Sequence, residues 1–454
     1  MNRLAAFALC FVTSCAPTPQ NMVDGQTVAT RAAGFQGEIP SLRMFTDTSV
    51  ARPSRPNREI AQDFLDLAFR MESGRNIPAL TRFDGPIKVR ATGNYGPTMI
   101  TDLEILLDRM RREAGLDISL TTADDAQITV EAVPRATLQR AVPRAACFVV
   151  PRINSWADFT IARRTSQVDW TTLTTRDRAT IFVPADVAPQ EIRDCLHEEL
   201  AQALGPLNDL YRLPDSVFND DNIHTVLTGF DMLILRLYYS PALRNGMTRR
   251  QVADRLPALL ARMNPAGQRE TPDPAPDTSR DWINAMEEAL ANGASPFARR
   301  AAAERAIALG RAFGWTGARE GFAHYAYGRL QVGNNSEVAL ASFNAAERAY
   351  RRSPETQIHA AHIAVQQAAF ALAAGDGETV LRLTESATDV ARRHQNAALM
   401  STLMMFQAEA LDLMGNTAEA EAIRLDSLGW ARYGFGSEAS VQARLNEIAA
   451  LRPF

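Results

Sequence analysis

Lysine is almost missing from this 454-residue chain. Lys88 stands alone, and every other member of the 48 Lys and Arg residues is arginine. A phosphate-binding P-loop needs a Lys behind its glycines, and a Schiff-base enzyme needs a Lys nucleophile. Lys88 lies in Pro86-Ile87-Lys88-Val89-Arg90, a strand-like run with no glycine-rich loop, so both classes fall away. There is no Gly-x-Ser-x-Gly segment, no Cys/His pairing suited to a thiol protease and no basic aromatic patch. With a formal charge of −4, a general nucleic-acid binder is excluded as well. What is present is ample apolar material, 46% of residues, in a chain long enough for two or three domains.

The first residues have the layout of a targeting segment. Asn2-Arg3 supplies a small positive region, and Leu4 to Val12 is an apolar run too short to span a bilayer. It ends Val12-Thr13-Ser14-Cys15, which resembles the lipobox of bacterial lipoproteins, with Val where Leu is usual. The resemblance implies cleavage of residues 1–14 as a signal peptide and lipid attachment at Cys15. Ala16 follows the cysteine rather than Asp, which by the same resemblance points to the outer membrane, facing the periplasm. Cys10 would leave with the signal. Only Cys147 and Cys195 then remain, and two thiols in an oxidising compartment are read as one disulfide. It would close a loop of about 48 residues and stabilise by roughly 4 kcal/mol.

Residues 15–56 are rich in Pro, Thr, Ser, Gly and Gln without a period, the composition of a flexible tether. From 57 to 265 the pattern is that of a folded domain. Arg58 to Met71 carries Ile60, Phe64, Leu65, Ala68 and Phe69 at helical spacing. Pro86–Ala91, Ile118–Leu120, Ala126–Ala132, Ala146–Val150 and Ala179–Val183 read as strands, and Met99–Ala114 as an amphipathic helix. Ala188-Pro189 opens another helix, which Gly205-Pro206 closes. A Pro-rich linker lies within 266–279, and 280–454 is Ala-rich and helical with no convincing strand. Gly333, Ala339, Phe343 and Ala346 fall near the small and aromatic positions of a tetratricopeptide-like pair, and Gly415, Ala420 and Ala422 suggest a looser second unit. Stacked helical hairpins bury their core against one another and leave a surface for partner proteins.

The chemistry-bearing stretch is Cys195-Leu-His-Glu-Glu-Leu-Ala-Gln-Ala-Leu-Gly-Pro-Leu-Asn-Asp209. A zinc-peptidase helix reads H-E-x-x-H-x-x-G-x-x-H: two histidines a turn apart, a Glu base between them, a Gly turn and a third ligand. With Glu199 on the base and Gly205 on the turn, the ligand positions hold Glu198, Gln202 and Asn208. Neutral amides are weak zinc donors, and this oxygen set is better matched to a hard cation. His197 does not rescue the zinc motif, because Ala201 stands four residues on. His224 is a remote third partner, and His359 with His362 is a helical pair lacking acidic or cysteine company. Without ligands, the same stretch is simply an amphipathic helix that buries Leu196, Leu200, Ala203 and Leu204.

Downstream, Ser216-Val217-Phe218-Asn219-Asp220-Asp221, Leu227-Thr228-Gly229-Phe230-Asp231 and Leu235-Arg236-Leu237-Tyr238-Tyr239 follow in the order found in zinc peptidases of the metzincin type. There a Ser-Ile-Met turn floors the site, and Val217-Phe218 takes its place here. With Tyr239-Ser240-Pro241 and Asn245-Gly246-Met247, these residues resemble an uncharacterised domain family of proteobacterial envelope proteins with a Glu-Glu-x-x-Gln-x-x-Gly core. The resemblance implies an α+β zincin-like domain, here followed by an all-α helical-hairpin (tetratricopeptide-like) domain. Two functions stay open. In one, Glu198, Glu199, Gln202, Asn208 and Asp209 line a non-catalytic cleft that binds a peptide or envelope polymer, with no metal expected. In the other, Glu199 activates water beside zinc or another divalent cation held by Glu198, Gln202 and Asn208.

Overall fold

A computed structural model describes residues 40–46, 52–53, 55–143, 145–269 and 277–453. The signal segment 1–14 and Cys15 lie outside the described residues, as do most of the tether and positions 270–276 of the linker. The chain divides into two compact units, one of residues 45–278 and one of 279–454 joined by the described residues 40–44.

The first unit begins with α1 (Asn57–Ala68) and continues β1 (Ile87–Gly93), α2 (Pro97–Arg109), β2 (Ile118–Leu120), β3 (Ile128–Val133), α3 (Arg135–Ala141), β4 (Phe148–Pro151), α4 (Trp156–Ala162) and β5 (Ala179–Pro184). Then come α5 (Pro189–Leu204), α6 (Gly229–Tyr238), α7 (Arg249–Ala253) and α8 (Leu256–Met263). The strands lie in the order β2-β1-β3-β5-β4; all pairings are parallel except that of β4, which runs antiparallel to β5 along one edge. A mostly parallel sheet wrapped by helices makes this unit α/β, where the sequence had suggested α+β. The reason is visible in β5, whose six residues are all buried. Ala179, Ile181 and Val183 enter the main core with Leu103, Leu106 and Leu200, while Phe182 points into a second cluster with Leu138 and Phe159. Both faces of β5 are covered, so the alternation of a half-solvated strand is absent there.

The expected disulfide is formed: Cys147 and Cys195 are bonded, with Cα atoms 5.9 Å apart, which pins α5 beside the β4 edge. The apolar stripe of α1 is buried as expected. The same helix also buries Asp63 and Asp66, which pair with Arg55 and Arg212. Arg55, just ahead of the helix, and Arg212, from a distant segment, neutralise what would otherwise be a costly burial of two carboxylates.

The second unit is all helical: α9 (Arg280–Leu290), α10 (Pro296–Ala312), α11 (Ala318–Gln331), α12 (Ser336–Tyr350), α13 (Gln357–Ala373), α14 (Gly377–Arg393), α15 (Ala397–Leu413), α16 (Thr417–Phe435) and α17 (Glu438–Ala449). Ala339, Phe343, Ala346 and Ala420 are fully buried, whereas Ala422 is exposed. Four successive helices start at 357, 377, 397 and 417. The hairpin period there is therefore about 40 residues, longer than the 34 of a tetratricopeptide pair. Each of the three turns between them repeats one device. Gly375, Gln395 and Gly415 take a left-handed conformation, and the N–H of the next residue (Asp376, Asn396, Asn416) returns to a carbonyl five positions back. Part of the segment read as tether is structured against this unit: Arg43 N–H donates to the Gly429 carbonyl at 3.0 Å, and its guanidinium pairs with Asp426. Among the described residues no helix is long and apolar enough to cross a membrane.

Reducing the disulfide, or replacing both cysteines with serine, is expected to lower unfolding stability by up to about 4 kcal/mol if chain entropy dominates. Urea denaturation of the oxidised and reduced protein at equal pH measures the difference.

Candidate functional site

The motif helix α5 starts on Pro189, which sets the first turn without losing a needed donor, and stops at Gly205. Gly205 is not in the left-handed region; its φ is −171°. It is glycine for lack of room: a Cβ there would lie 2.8 Å from the Tyr238 ring. The open end of α5 is capped by Arg176, a residue with nothing in its sequence surroundings to mark it. Its buried guanidinium donates to the carbonyls of Gln202 (2.7 Å), Ala203 (2.7 Å) and Gly205 (2.6 Å) and lies over the Trp170 ring. A cation at a helix C-terminus meets both the orphan carbonyls and the negative end of the helix dipole. Tyr239 completes the cap by donating its hydroxyl to the Leu204 carbonyl at 3.0 Å.

After the cap the chain runs back along α1. Leu207 N–H donates to the Leu67 carbonyl at 3.0 Å, Glu72 N–H donates to the Leu207 carbonyl at 3.3 Å, and the Asn208 amide donates to the Asp66 carbonyl at 3.0 Å. Leu210 N–H then reaches the Phe218 carbonyl at 2.9 Å. These backbone pairings draw Glu72 and the 216–221 turn to the same end of α5. The turn itself is clamped by the fully buried Asp231. Its carboxylate accepts from Ser216 Oγ (2.5 Å), Val217 N–H (3.2 Å) and Thr228 N–H (2.8 Å). Burial pushes Asp231 up to about 6, against the pull of those three donors.

The result is a concentration of acid. Burial is the main cause that raises Glu198, to about 8, with the charges of Glu72 and Asp220 adding to it. Glu199 is pushed well above the usual range by burial and then by Glu198 and Glu72. Asp209 moves the same way through burial, the charges of Glu72, Glu198 and Asp220, and a hydrogen bond to Glu72. Among the described residues, Glu72, Glu198, Glu199 and Asp209 have no ion-pair partner. Glu199 is 5% exposed, and its buried Oε2 has no hydrogen-bond partner. Gln202, 7% exposed, stands one turn after Glu198 on the same helix. At neutral pH such a site holds protons, so its carboxyls can donate as well as accept.

The residues singled out in the sequence thus divide. Glu198, Glu199 and Asp209 share one electrostatic site. Asn208 spends its amide on the α1 backbone. Glu72 and Asp220 complete the cluster, and sequence reasoning did not single out either: Glu72 is over a hundred positions upstream, and no motif links it to α5. His197 is buried, and its Nδ1 accepts from Leu227 N–H at 3.0 Å. Burial first, then Arg109 and Arg193, hold that imidazole well below its ordinary range, so it stays neutral. His224 bonds the Pro214 carbonyl through Nε2 at 3.0 Å. His359 packs on Tyr350 in the other unit. The oxygen-only set at Glu198, Gln202 and Asn208 does not fit zinc, because it offers no imidazole or thiolate. Among the described residues no group of three or more His, Cys, Asp or Glu is arranged to hold a metal ion.

Residues 57–258 match a family described as "Protein of unknown function (DUF2927)". The chain therefore carries a DUF2927 domain, followed by a helical C-terminal region. No curated protein and no solved structure matches it.

Two outcomes are expected. Gly205→Ala forces a methyl group against the Tyr238 ring and should cost about 1–3 kcal/mol, measured as a shift in the denaturation midpoint at unchanged slope. The acid cluster sets a pH dependence of known sign. Carboxyls raised in the folded state bind more protons there than when unfolded, so their contribution to stability falls as pH climbs from about 4, the unfolded value, through about 8, the value for Glu198. Glu198→Gln should therefore melt like the wild type near pH 5 and above it near pH 8. A difference independent of pH would contradict the assignment.

Proposed function

We propose that the DUF2927 domain is a degenerate metallopeptidase-like fold that no longer catalyses and instead binds a peptide or envelope polymer in its acidic cleft. We place it on an outer-membrane lipoprotein anchored at Cys15 and facing the periplasm, with the helical unit serving to engage partner proteins. The observation that carries this reading is the state of Glu199. In the zinc-peptidase frame this residue would be the base, and a base must be unprotonated near the working pH. Burial and the neighbouring acids instead push its carboxyl well above the usual range, away from that state. The kinship to zincins is supported by a sheet that precedes the motif helix, by the Gly205 turn and by the Asp231-clamped 216–218 segment in the Met-turn place. Protonated carboxyls beside the Gln202 amide offer both donors and acceptors, which suits a neutral polar ligand such as a peptide backbone or a glycan.

A second reading, an active hydrolase with Glu199 as base, draws on the buried, unpartnered Oε2 of that residue. A cation arriving beside it would lower its pKa and free it to act.

Elemental analysis separates the two after incubation with zinc, calcium, manganese and magnesium, paired with co-sedimentation on purified peptidoglycan. The binding reading expects no stoichiometric metal, and retention on the polymer that falls with Glu199→Ala and Gln202→Ala. A stoichiometric metal lost on Glu198→Ala or Gln202→Ala, together with hydrolysis abolished by Glu199→Gln, would establish the enzyme instead.

A further inference from the structure

The acids around α5 are short of positive charge in a way that the α1 network is not. Buried Asp63 and Asp66 have Arg55 and Arg212 beside them. The charges acting on Glu198, Glu199 and Asp209 come from Glu72, Glu198 and Asp220, all of them acidic. The orphaned oxygens lie within the cluster. Glu199 is 5% exposed and its buried Oε2 has no hydrogen-bond partner; Asp209 has none for its buried Oδ1. Buried acceptors without donors are costly, so these two oxygens mark where donors from outside the chain are favoured.

The cluster's own chemistry selects the donor. It must be cationic, because every neighbouring charge is negative. It must hydrogen-bond rather than coordinate: a calcium ion draws about six to eight oxygens to about 2.3–2.6 Å, and among the described residues no three acids are arranged to hold a metal ion. It must also arrive on a narrow arm, because exposure falls from Glu72, open to solvent, through half-buried Glu198, Asp209 and Asp220 to buried Glu199. Lysine and arginine side chains meet all three demands, with several N–H donors, no acceptor and a charge at the end of an apolar stem. Their hydrogen bonds to carboxylates are about twice as strong as neutral ones. Protons can supply part of the missing charge, and a basic group that brings its own displaces them.

We infer that this cluster receives the basic side chain of a peptide, its ammonium or guanidinium donating to the orphaned carboxylate oxygens of Glu199 and Asp209 and entering past Glu72. The inference rests on the reading of the cleft as a peptide-binding site and names the group recognised there. The Gln202 amide, one turn beyond Glu198, is left for the neutral peptide backbone.

The test passes three pooled random-peptide libraries, all N-terminally acetylated, over the immobilised full chain: one carries Lys as its only charged residue, one carries Arg, and one has no charged residue. Either basic library, or both, should be retained above the neutral one, and the two arms show which cation the site takes. A synthesised winner should bind Glu199→Gln and Asp209→Asn about tenfold more weakly than the wild type. Both substitutions keep the side-chain shape, and thermal melting confirms that the variants are folded. Glu385→Gln, at an exposed acid of α14, alters the net charge by the same amount and should leave binding unchanged. Equal retention of the neutral library, or an equal loss on Glu385→Gln, overturns the inference. A neutral peptide that still depends on Glu199 would overturn it while sparing the cleft as a binding site. Retention of no library also overturns it, and co-sedimentation with peptidoglycan then decides the broader reading separately.

Discussion

The α/β unit depends most on the buried guanidinium of Arg176. Its hydrogen bonds to the carbonyls of residues 202, 203 and 205 end α5 and fix the direction in which the chain leaves. Because burial without a carboxylate partner disfavours the charge, the carbonyls and the Trp170 ring must supply the compensation. Everything acidic in the site follows from that exit. The chain returns along α1, bringing Asp209 beside Glu72, and passes under the turn that Asp231 holds. Gly205 and Tyr238 belong to the same constraint, one by vacating space and the other by filling it.

Holding several acids together without bases works against stability. The α1 network shows the alternative: Asp63 and Asp66 are as deeply buried, yet Arg55, Arg212 and Arg249 neutralise them. In one place the fold places arginines on carboxylates, and a few residues away it withholds them from Glu198, Glu199 and Asp209. Repulsion tolerated in this way marks a site more than a core, since burial and like charge together shift protonation where chemistry or recognition needs it.

Several features were legible from the residues in order. The apolar spacing of α1, α2 and α5 located those helices, and five strand-like runs became the five strands. The Cys147–Cys195 pair followed from counting thiols. Other features were not legible. The sheet's parallel order, and hence its α/β character, depends on which strands become neighbours, and β-rich runs do not encode their partners. The helical unit looked like a 34-residue repeat because small and aromatic residues sit near the right places. Its later helices instead step by 20 residues, and the steps are set by the left-handed turns at Gly375, Gln395 and Gly415.

The local sequence by itself determined that the motif helix starts at Pro189 and carries Glu198, Glu199 and Gln202 on adjoining positions, because helical spacing is a property of the covalent chain. It equally determined that zinc chemistry is a poor match, since that depends on donor type. Only the tertiary structure decided that Glu72 and Asp220 join those acids, that Arg176 caps the end of α5, that His197 is a buried neutral acceptor and that Asn208 serves the backbone. Each of these is a contact across many residues of sequence, governed by burial and charge after folding, and neither quantity exists until the chain has closed on itself.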